Sequence, residues 1–387
     1  MDTTINILSP VHIGTGNLLS PFEYYYDNRN RVLRYYGIEE ILKAMDASKL
    51  LDNQFLRNLS NKKTNQNTNS QLSTYIERHV GDINRLNASY DLQCLYWRKN
   101  RKTSEQIKVL NKPIIPGSSI KGAIMNAIQY DWVLHHYEEF VVLLKKEVEQ
   151  DHNRNRKSIK IDVEKLIPKY YGVSQKDFND FKSIFHSSFL CADISFDKMG
   201  LYECKRANTN PEKEDMVLDF KECILPEQSY QSDVSKVIEI DAKLFKLRDD
   251  LKEKDYYKDF EKYINFDSLI KVINQYFKNQ LANDMVLASD LYDDFALLNE
   301  INGKMKVDNL KENECLIRIG NGTGYLFKTF ASLIKVNDRD FYNKYFNQVF
   351  LPLGKSHPDV FPSTRVLLVD GNDNHYLPGV IKLEFHK

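Results

Sequence analysis

Residues 113–128, with the sequence PIIPGSSIKGAIMNAI, predict a bend followed by a helix. Pro116 disfavours a helical backbone at the residue before it, and Gly117 permits an unusual backbone angle. Ser118 or Ser119 can then cap the first helical turn. The isoleucines that follow recur every four residues, which places them on one helical face. This stretch therefore predicts an amphipathic helix that packs against a core.

The start of this helix is also a candidate anion site. Lys121 and Gly122 lie in its first turn, where unpaired N–H groups and the helix dipole favour a phosphate. Gly117 and Gly122 have the spacing of a nucleotide-binding Walker A loop, but Ala123 occupies the position of the required lysine. Ordinary helix-start chemistry accounts for the same residues, so both interpretations stay open.

The composition indicates a soluble globular protein. A chain of 387 residues suggests two or three domains of roughly 100 to 200 residues each. Lys plus Arg and Asp plus Glu both total 54, so any surface that attracts a polyanion must be local. There is no apolar run of membrane-spanning length and no signal core, which predicts a cytoplasmic protein without a membrane partner.

Neither a cofactor nor a metal site is predicted. The five cysteines are scattered and contain no C-x-x-C pair, so we expect reduced packing residues rather than a disulfide framework or a zinc site. The acidic pairs Asp249-Asp250 and Asp293-Asp294 are interpreted as a solvated face, or one that repels nucleic acid, rather than as metal ligands.

Hydrophobic periodicity and turn residues predict a mixed α+β chain. Strands are predicted at 4–13, 189–196, 201–204, 237–240 and 315–319, hairpins at 22–36 and 364–385, and helices at 120–149 and within 241–299. Basic patches are predicted at 98–108 and 152–160, with solvated charged loops as the alternative. Residues 60–71 contain no apolar side chain, which is typical of a mobile loop.

Three short windows contain seven of the 15 glycines. They comprise Gly14 and Gly16, then Gly117 and Gly122, then Gly320, Gly322 and Gly324. Glycine is needed where the backbone takes a positive φ or where another chain must come close. Because all three windows lie between a predicted strand and a loop, we expect them to share a surface.

With these windows, the chain resembles the RAMP superfamily of CRISPR RNA-binding proteins, and within it the fifth-subunit family of type III-A Csm effector complexes. The resemblance rests on SPVHIGTG at 9–16, IPGSSIKG at 115–122 and RIGNGTG at 318–324. PSTR at 362–365 and LPGV at 377–380 also fit, although Val380 replaces a frequent aromatic residue. It implies RAMP-type ferredoxin-like (RRM-like) βαββαβ modules with glycine-rich loops, at 1–205 and 206–387, with a helical insertion near 241–300.

The resemblance further implies a non-catalytic subunit that binds and caps the 3′ region of the guide RNA and takes part in guide maturation. The implied partners are this RNA, other Csm subunits, especially the backbone RAMP subunit, and cellular nucleases. By the same likeness, RNA contact is assigned to the three windows and nearby cations: His12, Gly14, Thr15, Gly16, Gly117, Ser118, Ser119, Lys121, Gly122, Arg318, Gly320, Asn321, Gly322, Thr323, Gly324 and Lys328.

Two enzymatic alternatives remain. A guide-processing endoribonuclease of the same superfamily would use a general base beside a glycine loop, and His12 has that position, but no second acid-base partner is visible nearby. A nucleotide-binding enzyme would use residues 320–324 as a phosphate loop. That stretch lacks the G-x-G-x-x-G spacing and a surrounding βαβ pattern.

Overall fold

The computed structural model describes residues 2–19, 23–37, 39–40, 43, 86–95, 97, 101–152, 163–208, 216–231, 237–289, 303, 305, 307–324, 326–349 and 364–386. The polar stretch at 60–71, most of the basic patch at 152–160, residues 98–100 of the other patch and Asp293-Asp294 lie outside these ranges.

The strands begin and end as follows: β1 Asp2–Ile7, β2 Gly14–Leu19, β3 Tyr24–Asp27, β4 Val32–Tyr35, β5 Tyr90–Gln93, β6 Thr103–Gln106, β7 Lys108–Val109, β8 Lys112–Ile115, β9 Phe189–Cys191, β10 Ile194–Ser195, β11 Met199–Asn208, β12 Met216–Ile224, β13 Ser229–Gln231, β14 Ile238–Ile240, β15 Glu314–Arg318, β16 Thr364–Val369, β17 His375–Tyr376 and β18 Val380–His386. The predicted hairpin around residues 27–30 is confirmed as β3 and β4.

The helices are α1 Gly117–His135, α2 Tyr137–His152, α3 Val163–Tyr170, α4 Gln175–Ser187, α5 Ala242–Lys246, α6 Asp255–Glu261, α7 Phe266–Ser289, α8 Ala331–Asn337 and α9 Arg339–Val349. The predicted helix at 120–149 is two helices, because the chain turns at His136. That imidazole stacks on Trp132, and its Nδ1 lies 2.8 Å from the Trp132 carbonyl oxygen.

The first sheet is antiparallel and has the strand order β13-β1-β18-β15. Alternate residues of β1 and β18 are buried, including Ile5 and Leu383, and they join the core that contains the isoleucines of α1. Ile120 and Ile124 are both fully buried. The four-residue spacing that predicted the packed face of α1 is therefore confirmed.

Helix α7 covers the outer edge of this sheet. The Asn274 side chain donates to the Glu314 carbonyl oxygen at 2.8 Å and accepts from the Leu316 N–H at 3.2 Å. An amide side chain thus satisfies backbone groups that a neighbouring strand would otherwise pair, which protects an exposed sheet edge. This contact fixes α7 against β15.

The second sheet is mixed and runs in the order β2-β6-β12-β11-β5-β4-β3. Strand β11 pairs with β12 along one edge, and along the other with β5 near Met199 and then with β16 from Glu203 onward. Residues 205 and 206, the expected limit between two modules, lie in the middle of β11. Both sheets contain strands from each side of that position.

The predicted closing hairpin forms only in part. Strand β16 pairs with the short β17, but β18 leaves this sheet and pairs with β1 and β15. The change of sheet occurs at Gly379, whose φ is 80°. The predicted strand at 4–13 similarly ends at Ile7, and a new strand begins at Gly14.

Candidate functional site

The first and third glycine windows are in direct contact. The Asn321 N–H donates to the His12 carbonyl oxygen at 2.8 Å. Gly320 has a φ of 83°, and a Cβ there would lie 2.4 Å from the same oxygen. Gly320 therefore allows two loops of this chain, more than 300 residues apart in sequence, to pack closely.

The LPGV stretch at 377–380 completes this junction. The Gly379 N–H donates to the Pro10 carbonyl oxygen at 2.9 Å, and its own carbonyl accepts from the Ile319 N–H at 2.8 Å. The hydroxyl of Ser9 accepts from the Val380 N–H at 2.8 Å. Three of the stretches that carry the family resemblance thus interlock through their backbones.

One glutamine connects this junction to the second window. The Gln106 Oε1 accepts from the Ile13 N–H at 2.7 Å, and its Nε2 donates to the Ile114 carbonyl oxygen at 3.1 Å. Ile114 lies in β8, which leads directly into the start of α1. Gln106 therefore bonds both to the loop of the first window and to the strand that precedes the second window.

The start of α1 differs from expectation. Its N-cap residue is Pro116, and Ser118 and Ser119 lie inside the first turn without capping it. The Gly117 N–H instead donates to the Asp193 carboxylate at 2.8 Å, and a Cβ on Gly117 would lie 2.0 Å from the Cys191 carbonyl oxygen. The chain's own carboxylate therefore satisfies the first N–H group, and the predicted serine cap is wrong.

The predicted contact residues divide by exposure. Those with exposed surface are Gly14, Thr15, Gly16, Ser118, Gly122, Asn321, Gly324 and Lys328, and Ser119, Lys121, Gly320 and Gly322 are half-buried. His12, Gly117, Arg318 and Thr323 are buried. The buried residues do not present side chains to solvent, so they support the loops instead of forming their outer face.

Arg318 holds the third window from inside. Its side chain is 3% exposed and donates to the Pro378 carbonyl oxygen at 2.9 Å and to that of Gly322 at 3.3 Å. Asp284 lies 3.9 Å from its guanidinium and also binds Arg365, at 3.1 Å. Burial lowers the pKa of Arg318 to about 10, so the charge persists at neutral pH. Asp284 is therefore a buried counter-ion to both arginines.

A buried glutamate that the sequence did not single out organises the first window. Glu222 is 0% exposed, and its carboxylate accepts from the Tyr24 hydroxyl at 2.8 Å, the Tyr90 hydroxyl at 2.6 Å and the Gln106 N–H at 3.0 Å. The Lys108 ammonium donates to it at 2.6 Å. These contacts join β12 to the four strands β3, β5, β6 and β7, and β6 is the strand that pairs with β2.

His12 is held by the same residue. Its Nδ1 lies 2.7 Å from the Glu222 carbonyl oxygen, which makes Nδ1 the protonated nitrogen. Burial lowers the pKa of His12 to about 4, so the ring is neutral at physiological pH. The residue is 1% exposed, and a Cβ on Gly14 would lie 3.0 Å from its Nε2. This environment gives His12 a structural role and no access for a substrate.

The first basic patch is smaller than predicted. The Lys108 side chain is 8% exposed and pairs with Glu222 and Glu105. Its ammonium also lies 4.3 Å from the centre of the Tyr90 ring. Lys108 is therefore a buried ion-pair partner and not a surface cation.

The described ranges show packing cysteines and no metal cluster. Cys94, Cys204, Cys223 and Cys315 are buried and Cys191 is half-buried, all as free thiols. Burial raises the pKa of Cys191 to about 11 and that of Cys204 to about 12, so these thiols stay protonated. Within the same ranges there is no group of three or more His, Cys, Asp or Glu placed to hold a metal ion, and no helix is long and apolar enough to cross a bilayer.

Comparisons with known proteins cover nearly the whole chain. A curated relative, CRISPR system Cms protein Csm5 of Methanocaldococcus jannaschii, is 22% identical over 99% of this chain and 88% of its own length. A chain in the cryo-EM structure of a Csm-crRNA-target RNA ternary complex of a type III-A CRISPR-Cas system matches with a TM-score of 0.66, at 20% identity, over 99% of this chain and 100% of that chain.

The crystal structure of T. onnurineus Csm5 matches with a TM-score of 0.60, at 19% identity, over 98% of this chain and 99% of that one. These likenesses confirm the α+β, RAMP-type ferredoxin-like fold expected from the sequence. The family model of the RAMP superfamily matches residues 4–350, which include all three glycine windows. The chain therefore belongs to the RAMP superfamily.

Proposed function

We propose that the protein is a non-catalytic, guide RNA-binding subunit of a type III-A Csm complex, where it caps the 3′ end of the guide and takes part in guide maturation. The observation that carries this proposal is the likeness to a chain of a Csm-crRNA-target RNA complex over the full length of both chains. The curated Csm5 relative supports the same assignment.

The joined glycine windows supply the binding surface in this proposal. Exposed backbone at Gly14, Gly16 and Gly324, with Lys121 and Lys328 near the other windows, suits phosphate contacts. Phosphate contacts carry no sequence information, which suits a subunit that must accept any guide. Basic character is local here, since the net formal charge of the chain is zero.

The endoribonuclease alternative requires an accessible general base. His12 was the candidate, but it is buried and its Nδ1 is bound to a backbone carbonyl. We therefore favour binding without catalysis. Incubation of the purified protein with guide precursor should leave the RNA intact, and cleavage that requires His12 would favour the nuclease instead.

Lys121→Ala should weaken RNA binding equally for unrelated sequences, by removing one phosphate contact. The slope of log affinity against log salt should fall by about one unit. Filter binding or fluorescence anisotropy at several salt concentrations measures both quantities. Lys146→Ala, on α2, is the matched control and should leave the slope unchanged. A loss confined to one RNA sequence, or no change in affinity and slope, would contradict a phosphate contact at Lys121.

A capping subunit needs RNA contact on one face only. Helices α2, α3 and α6 line a cleft of about 760 Å³ in which Glu139, Asp255 and Asp259 outnumber Lys169, and this excess of carboxylates disfavours RNA. A filament subunit, in contrast, must offer matching surfaces to a copy on each side. We expect native mass spectrometry of the assembled complex to find one copy, crosslinked near the guide's 3′ end. Several copies, or crosslinks confined to the 5′ handle, would exclude capping.

A further inference from the structure

We propose that a pocket between α1 and residues 328–330 holds one nucleobase of the bound RNA, whichever base it is. This inference rests on the proposed RNA-binding function and adds a base site to its phosphate contacts. The pocket has a volume of about 160 Å³. A cavity of roughly 150 Å³ accommodates an aromatic ring, so the space fits one base.

The lining has the chemistry that a base requires. Asn126 of α1 contributes a side-chain amide, and Tyr130, Phe330 and Tyr345 contribute aromatic rings. The amide carries both a donor and an acceptor, so it can pair with the edge of any base. Aromatic rings stack on every base with little sequence preference. The pocket is therefore suited to a base of variable identity, as a guide requires.

The pocket lies on a line with the second glycine window. Ser118, Gly122, Asn126 and Gln129 are spaced four, four and three residues apart, so they share one face of α1. With a rise of about 1.5 Å per residue, Asn126 lies about 6 Å along the axis from Gly122 on this face. Single-stranded RNA can cover that distance with its backbone beside the exposed Gly122 and one base at Asn126.

The charge around the pocket favours the same ligand. Lys328 is exposed and lines the pocket, and the lining includes no carboxylate. The larger cleft between α2, α3 and α6 is more acidic, because three carboxylates line it beside a single lysine, Lys169. The Lys328 ammonium can therefore bind the phosphate on either side of the bound base. Lys328 follows the third window by four residues, so this contact would connect the pocket to that window.

Asn126→Phe, which fills the pocket with a ring, should lower RNA affinity about tenfold, the loss expected when one stacked base is displaced. The salt slope should not change, since no phosphate contact is removed, whereas Lys121→Ala should reduce it. Asn126→Ala removes only the amide and improves helix propensity, so it keeps the fold and should give a smaller loss. Asn179→Phe places the same ring on the exposed face of α4 and should bind RNA normally.

Single-stranded RNAs that carry 4-thiouridine at one position in turn should locate the base. We expect one position to crosslink to 126–130 or 328–330 of the full-length protein. An abasic residue at that position should weaken binding to the wild type but not further weaken binding to Asn126→Phe. Crosslinks elsewhere would contradict base binding in this pocket, and so would losses of affinity from the abasic residue and from Asn126→Phe that simply add. A reduced salt slope in Lys121→Ala would still support RNA binding by the protein. Failure of the wild type to bind any RNA would instead overturn the proposed function.

Discussion

Replacing Glu222 by leucine is expected to lower the free energy of unfolding by about 3 to 5 kcal/mol, because it leaves a buried ammonium without its counter-ion. Lys108 donates to this carboxylate at 2.6 Å, and the two side chains are 8% and 0% exposed. The hydroxyls of Tyr24 and Tyr90 lose their acceptor in the same substitution. Each buried donor without a partner adds a further cost.

Urea unfolding followed by circular dichroism measures this loss. Lys108→Met combined with Glu222→Leu should recover part of the stability, since neither charge is then left unpaired. Asp197→Leu is a control, because Asp197 is exposed in its ion pair with Lys112, and this substitution should change the stability much less. A loss below about 1 kcal/mol for Glu222→Leu would show that water reaches Lys108 and that the site is not a buried network.

The Glu222 substitution should also loosen the first glycine window. The Glu222 backbone carbonyl holds the His12 ring, and its carboxylate holds the Gln106 N–H. The side chain of Gln106 in turn bonds to Ile13 and Ile114. Loss of the carboxylate therefore reaches the first window in two steps, from Glu222 to Gln106 and from Gln106 to Ile13. RNA affinity should decrease together with stability.

The parts of the fold that the sequence predicted are those set by local periodicity. The isoleucine spacing in α1 and the hairpin of β3 and β4 depend on neighbouring residues, so a short window contains the information. The end of α1 was missed because it depends on His136 stacking back on Trp132. The division of the C-terminal hairpin between two sheets depends on pairing with β1, at the other end of the chain.

The supporting residues of the site could not be found from the sequence. Glu222 binds Tyr24 and Lys108, which are 198 and 114 residues away in sequence, and Asp193 reaches Gly117 across 76 residues. A pattern in a short stretch of sequence cannot predict pairs that are so far apart in the chain. An acidic residue inside the alternating strand β12, where an apolar one would be expected, was the available signal for Glu222.

The glycines of the three windows serve two different purposes. Gly117 and Gly320 allow close contact with carbonyl groups of this chain. Gly16, Gly122 and Gly324 have open space where a Cβ would lie. The second group is free to meet a ligand, whereas the first is explained by packing alone. The sequence could not separate them, because both purposes favour the same residue.

A comparison of Gly320→Ala with Gly324→Ala distinguishes close packing from open space. We expect a large loss of stability for Gly320→Ala. Both residues have nearly the same positive φ, 83° and 82°, so alanine costs about 1 to 2 kcal/mol of backbone strain at either position. At Gly320 the new Cβ would also lie 2.4 Å from the His12 carbonyl oxygen, while at Gly324 nothing lies within 4 Å. Overpacking of this kind adds about 1 to 3 kcal/mol.

Gly320→Ala should therefore lose roughly 2 to 5 kcal/mol of stability in total, clearly more than Gly324→Ala. The clash opposes the hydrogen bond from the Asn321 N–H to His12, so the first and third windows should separate. Hydrogen exchange at Asn321 should accelerate in Gly320→Ala but not in Gly324→Ala, because only the first variant displaces this contact. Equal stability losses with unchanged exchange would mean that the two windows move independently, and the joined surface on which the RNA-binding proposal depends would have to be abandoned.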